Sequence, residues 1–412
     1  MILVVVGLMT LKKDPIFSNY KMNKIKLILL PILLTSFVIY LSYNEQLWVH
    51  FWKTLSIPAV IPPFSDLDSL IKTLLSKEAG FNVYLENPLD PTHGVYMYPS
   101  IWLSVFDFLK LKDFIYFKVF NFTIIFIYFY IIQDLFIKNT ENVFRLILII
   151  FFFSTTNFLI LERLNIEIII FSLIYFAAIS TNHISKVSFF LLALIGKIFP
   201  IFSVFLLIEN KKFFFLSLFL SFLYLFFIRE EIYFMSTNII EYARIFAYGS
   251  GSIAKAIYYY SREYGLFIDD SNYNYLKSLI IFLFAIYAAI IFKINFKFGN
   301  KAIDQKIIVE DSLFLSGGGI YLGTFVFSAN VDYRLVFLLF TFSFILKVKN
   351  NFIKYLYIVS CAIIFNSFIF EGGDPYSIIY FIKAGFIYLL KFVVFSITCY
   401  FFGEILNKYI KI

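Results

Sequence analysis

The sequence predicts an all-α polytopic membrane protein: one integral membrane domain over residues 1–412, with about 10–12 spans and two long extracytoplasmic loops. Three observations predict this class. Hydrophobic residues make up 61% of the chain and charged residues 15%, where soluble domains carry roughly 25% charged residues. Apolar runs of about 17–25 residues, the length that crosses a ~30 Å hydrocarbon core, recur along the chain. Lysines gather in the short polar breaks between alternate runs, as they do in cytoplasmic loops.

The net charge of +8 follows from that loop chemistry and calls for no nucleic-acid partner. Cys361 and Cys399 both lie inside apolar runs, so neither a disulfide nor a redox compartment is read from them. Three histidines and no Cys/His cluster leave a structural zinc site without ligands.

Five lysines between residues 12 and 26 hold the N-terminal segment, 1–24, in the cytoplasm. The opening MILVVVGLMT has no preceding basic residues and no small-residue cleavage site. It reads as a start-site extension or an interfacial segment rather than a signal peptide. The first span, 25–41, leads to the first extracytoplasmic loop, 42–98, and residues 101–111 form an amphipathic stretch along the interface. Span 114–132 returns to a loop with Lys138 and Arg145; 146–160 goes out to Glu162-Arg163-Leu164-Asn165, and 166–178 comes back, leaving Lys186 inside.

The run 187–208 is interrupted by Lys197 and Pro200. Two short helices turning near Lys197 keep Lys211 and Lys212 cytoplasmic, which a single crossing does not. A proline and a lysine in mid-run mark a break that faces a polar cavity. Span 213–228 exits to the second extracytoplasmic loop, 229–275, and 276–292 re-enters to a basic loop holding Lys293 and Lys297. Spans 313–327, 336–346, 355–370 and 378–402 complete the bundle, with the C-terminus inside.

The polar stretch 65–102 stands out against this apolar background. Asp66 and Asp68 follow Pro62-Pro63 at the start of an expected helix that stops at Gly80. Two roles suit them: charge–dipole stabilisation of that helix, worth about 0.3–1 kcal/mol, or a general base at the membrane surface. Residues i and i+2 do not share a helix face, so at most one of the two points into a site. Glu162-Arg163 reads either as an interfacial ion pair or as a phosphate- or carboxylate-orienting arginine with Asn165 as its partner. Lys197 in mid-run costs at least about 2.5–3.5 kcal/mol at a bilayer centre unless it meets water or an anion. Arg334 in Asp332-Tyr333-Arg334 either pairs locally with Asp332 or grips a phosphate bidentately. Carboxylates and cations on one membrane face suit a substrate with a lipid tail, a phosphate and a polar head. The cations would meet the leaving phosphate, and an aspartate the attacking hydroxyl.

The order Asp66…Gly80-Phe81-Asn82-Val83-Tyr84…Tyr98-Pro99, Glu162-Arg163-Leu164-Asn165, Lys197-Ile198-Phe199-Pro200 and Asn330-Val331-Asp332-Tyr333-Arg334 resembles glycosyltransferase family 87. Within it, a bacterial branch shares the loop Asn87-Pro88-Leu89-Asp90-Pro91…Tyr98-Pro99-Ser100-Ile101-Trp102-Leu103. The likeness spans residues 66–334. It implies a GT-C-like bundle and sugar transfer, mannose included, from a polyprenyl-phosphate donor to a hydroxyl of a glycan or glycolipid acceptor. It places the activity on the outer face of a bacterial cytoplasmic (inner) membrane. It makes Asp66 the catalytic base, with Asp68 the fallback, and puts Lys197, Arg334 and Arg163 on the donor phosphate. Asp90, Tyr98, Glu162, Asn165, Asp332 and Tyr333 support them. The family often has glycine where this chain has Leu164, and proline where it has Ser100.

Two other readings stand beside this one. A polysaccharide polymerase would make a product ladder and depend on arginines of the second loop. A lipid-linked oligosaccharide flippase would need charges along a path across the whole membrane. The metal question stays open: Asp66, Asp68 and Asp90 offer oxygen ligands of the kind Mg²⁺ or Mn²⁺ takes, while a base with cationic phosphate ligands does without one.

Overall fold

The computed structural model describes residues 24–90, 94–138, 149–237, 244–263, 270–298, 308–327, 329–372 and 377–410. Nearly all of the expected cytoplasmic N-terminal segment lies outside them. So do parts of both expected loops, at 91–93, 238–243 and 264–269.

Among the described residues the chain forms helices and one two-residue antiparallel ladder, which pairs Ala247 with Val331 and Tyr248 with Asn330. Among the described residues, three helices are long and apolar enough to cross a membrane: 114–135, 272–293 and 378–410. Two bent pairs raise the number to five if each is one span: 28–41 with 45–54, bent by 117°, and 211–227 with 211's partner helix 229–236, bent by 70°. Several other stretches expected to cross are shorter. Glu167–Ile179 has 13 residues and His183–Gly196 has 14, about 20 Å at 1.5 Å per residue. Pro200 opens a 3-10 helix, Phe199–Leu207, and a second one runs over Asp332–Thr341. The second expected loop is largely helical, with Arg229–Thr237, Ser250–Glu263 and the start of Asp270–Phe298 inside it.

The centre of the bundle is helix α13, Val309–Phe327, nearly every residue of which is buried. It packs against both 3-10 helices and against the C-terminal helix α16, Ile378–Ile410. Its glycines make that approach close. A Cβ on Gly317 would lie 2.2 Å from the Phe337 carbonyl oxygen, and one on Gly319 2.2 Å from that of Phe202. Backbone cannot give way as a flexible side chain can, so Gly319→Ala is expected to destabilise by about 1–3 kcal/mol. A Cβ on Gly385 of α16 meets nothing within 4 Å. Gly385→Ala should leave stability unchanged or raise it by up to about 1 kcal/mol. Thermal unfolding of both variants in one detergent checks the pair.

Candidate functional site

Asp66 is fixed by the entry to helix α3, Ser65–Glu78. Phe64, left-handed at φ 64°, turns the chain into the helix while its buried ring packs edge-on against Trp48, 5.0 Å between centroids. Asp66 and Asp68 then lie in the first turn and diverge, as their spacing requires. Asp66 is half-buried and accepts a 2.6 Å hydrogen bond from Asn165 Nδ2. It lies within electrostatic reach of Arg163, Lys197 and Glu167. Burial raises its carboxyl above the ordinary aspartate value, with the Arg163 charge pulling the other way. Asp68 feels Lys72 and Asp90 instead.

Asn165 owes its place to a turn between two helices. Helix α6, Thr155–Arg163, ends at Leu164, which is left-handed at φ 48°, ψ 48° with its side chain wholly buried. That backbone costs an L-residue roughly 1–2 kcal/mol. The turn lets Asn165 Oδ1 accept the Glu167 backbone N–H at 3.0 Å, capping helix α7, Glu167–Ile179, while its Nδ2 reaches Asp66 and, at 3.5 Å, the Tyr98 hydroxyl.

Lys197 follows helix α8, His183–Gly196, in an extended conformation. The Gly196 carbonyl accepts a 2.7 Å hydrogen bond from Trp102 Nε1, and a Cβ on Gly196 would collide with Ile170 and Trp102. The expected break at Lys197 is therefore a pinned helix end. Lys197 Nζ sits 5.0 Å from the Tyr98 ring centroid and 2.6 Å from Glu167 Oε1. Arg334, from the other side, donates through Nε to the same oxygen at 2.6 Å, through Nη1 to Asn330, and lies over Phe199. Tyr333 lies within electrostatic reach of Glu167, Arg334, Tyr98 and Asp66.

Two expected assignments, the Asp332–Arg334 pair and the cluster of three aspartates, need correction. Asp332 does not pair with Arg334. It is fully buried on Lys391 of α16, both carboxylate oxygens 2.9 Å from Nζ, and also accepts from Ser367. Arg163 spends three of its five N–H groups within the protein: Nη1 bonds Ser65 Oγ at 3.2 Å, Nη2 the Pro58 carbonyl at 3.1 Å, and Nε lies 3.0 Å from Glu162 Oε2. It ties the first loop to helix α6. Asp90 belongs with Ser69 and Asn87, so Asp66, Asp68 and Asp90 do not converge. Among the described residues no group of three or more His, Cys, Asp or Glu is placed to hold a metal ion.

Glu162 is wholly buried and accepts from the Val60 N–H at 2.8 Å. Burial pushes it up to about 7, against the pull of Arg163. That value suits a base, but the side chain has no exposed surface with which to meet a substrate. One residue outside the expected site belongs to it, and another ties neighbouring segments together. Glu167, visible in the sequence as an acid at the mouth of a span, is the shared partner of Lys197 and Arg334. Glu231, in the second expected loop, accepts from Ser100 N at 3.0 Å and Ser100 Oγ at 2.6 Å, just past the end of the first. A proline at position 100 would lack that N–H.

The arrangement is thus one half-exposed carboxylate and two partly exposed cations around the Tyr98 side chain. No family model, no curated protein and no solved structure matches the chain.

Proposed function

We propose that this protein is a membrane glycosyltransferase. It moves a hexose, mannose among the candidates, from a polyprenyl-phosphate donor to a hydroxyl acceptor on the extracytoplasmic face, with inversion. The observation that carries the reading is the meeting of Asp66 with Lys197 and Arg334 across Tyr98. Asp66 takes the acceptor proton as that oxygen attacks the anomeric carbon. The bond from that carbon to the phosphate oxygen breaks, and the electron pair leaves on a phosphate that Lys197 and Arg334 receive. A carboxylate among cations, with no nucleotide-binding fold, is the equipment such a donor needs. Among the described residues Asp66, Asp68 and Asp90 do not form a common ligand set for Mg²⁺ or Mn²⁺.

The test is transfer by purified full-length protein in liposomes supplied with polyprenyl-phosphate hexoses and membrane glycolipid acceptors. Single-sugar addition with stoichiometric release of polyprenyl phosphate is the expected outcome. A product ladder would instead mark a polymerase. Movement of the lipid-linked sugar across the bilayer without a new glycosidic bond would mark a transporter.

A further inference from the structure

Asn165 is buried in the turn between α6 and α7, and each end of its amide has a different partner. Its Oδ1 accepts the Glu167 backbone N–H at 3.0 Å, and its Nδ2 donates to Asp66 Oδ2 at 2.6 Å. Those partners fix which end is which, because a backbone N–H only donates and an ionised carboxylate only accepts. Asp66 Oδ1 accepts from no described residue, so it is the oxygen left for an attacking hydroxyl. The same short segment holds the cations. Glu167 takes Lys197 Nζ and Arg334 Nε on its Oε1, each at 2.6 Å. A continuous chain of hydrogen bonds therefore runs from the base, through residue 165, to both cations.

We infer that Asn165 is the positioning residue that sets the base against the cations: it holds Asp66 by one oxygen and fixes the spacing of the other from Lys197 and Arg334. This inference rests on the reading of Asp66 as the base and adds a requirement for an amide at position 165. An aspartate there would still accept the Glu167 N–H but would set a second carboxylate against Asp66. A serine hydroxyl, being shorter, can serve the helix end and leaves Asp66 untied. The surroundings of Asp66 give the sign of both changes. Burial opposes its ionisation; Arg163, the Asn165 bond and Lys197 favour it; Glu167 opposes it. The Tyr98 hydroxyl, 3.5 Å from Asn165 Nδ2, is neutral and adds no charge. Losing the amide donor therefore raises the Asp66 pKa, and a carboxylate in its place raises it further.

The experiment follows transfer against pH in the liposome assay above, with melting temperatures as the check on folding. Asn165→Asp should move the acid limb of the profile up by about one pH unit or more, a loss of about tenfold on that slope. Asn165→Ser should lower kcat about tenfold, with a smaller upward movement of the limb and the donor KM little changed. In an Asp66→Asn background the serine should cost nothing further, because no base is left to position. A folded Asn165→Asp variant with the wild-type limb and turnover overturns the inference. An equal loss from Asn165→Ser in both backgrounds overturns it too, since a merely structural role would give that result, and this cycle decides alone if the Asp variant does not fold. Undiminished turnover in Asp66→Asn, or no transfer by wild-type protein, overturns the underlying reading of the site, a result seen without any change at residue 165.

Discussion

Asp66→Asn is expected to lower sugar transfer by about 10²–10⁴-fold, the usual contribution of a general base, with donor binding and melting temperature little changed. Asparagine keeps the size of the side chain and loses only the proton acceptor. The Asn165 amide that donates to Asp66 Oδ2 can still donate to an amide oxygen. Asp68→Asn is the comparison and should keep turnover, since Asp68 looks toward Lys72 and Asp90. The acid limb of the pH–rate profile carries the same information. Burial raises the Asp66 pKa, so the rate should climb with pH through a value above the ordinary aspartate range, and that limb should vanish in the Asn variant. Stability moves the opposite way. The folded protein holds the Asp66 proton more tightly than the unfolded chain, so the Asp66 contribution to stability falls as pH rises through that interval. Turnover near wild type in Asp66→Asn would remove it as the base.

Lys391→Met is expected to cost about 3–5 kcal/mol, the penalty for stranding one partner of a buried ion pair. Neither Lys391 nor Asp332 has exposed side-chain surface. Lys391 also donates to the carbonyls of Ile245, at 2.6 Å, and Ala247, at 2.9 Å, so three residues on two segments lose their common donor. Adding Asp332→Asn to Lys391→Met removes the stranded charge and should recover part of the loss. Thermal unfolding of the single and double variants in detergent checks both statements. Equal melting temperatures for wild type and Lys391→Met would contradict the central place given to this pair.

Much of the site was legible in the sequence because charge in an apolar run demands an explanation. Lys197 announced a break, and the structure has a helix end there. The i, i+2 spacing of Asp66 and Asp68 implied that only one faces the others, and they do diverge. Pairing was less legible, because a partner far along the chain leaves no local signature. Arg334 has an aspartate two residues away and ignores it for Glu167, 167 positions distant. Lys391 interrupts an apolar run as Lys197 does, and the same rule would have singled it out. Asp90 was grouped with Asp66 on sequence proximity, but Ser69 and Asn87 hold it elsewhere. The span count was the least legible quantity. Hydropathy does not distinguish a short helix buried in protein from one that crosses lipid.

The clasp at Lys391 bears on how the protein is made. Asp332, two residues before Arg334, is held by a side chain from a helix that is translated after it. Asp66, Glu167 and Lys197 are all translated long before that helix exists. The segment that carries Asp332 and Arg334 therefore gains its ion pair only once residue 391 is in place. A nascent chain halted before residue 391 would carry Asp66, Glu167, Lys197 and Arg334 and still lack the buried partner of Asp332.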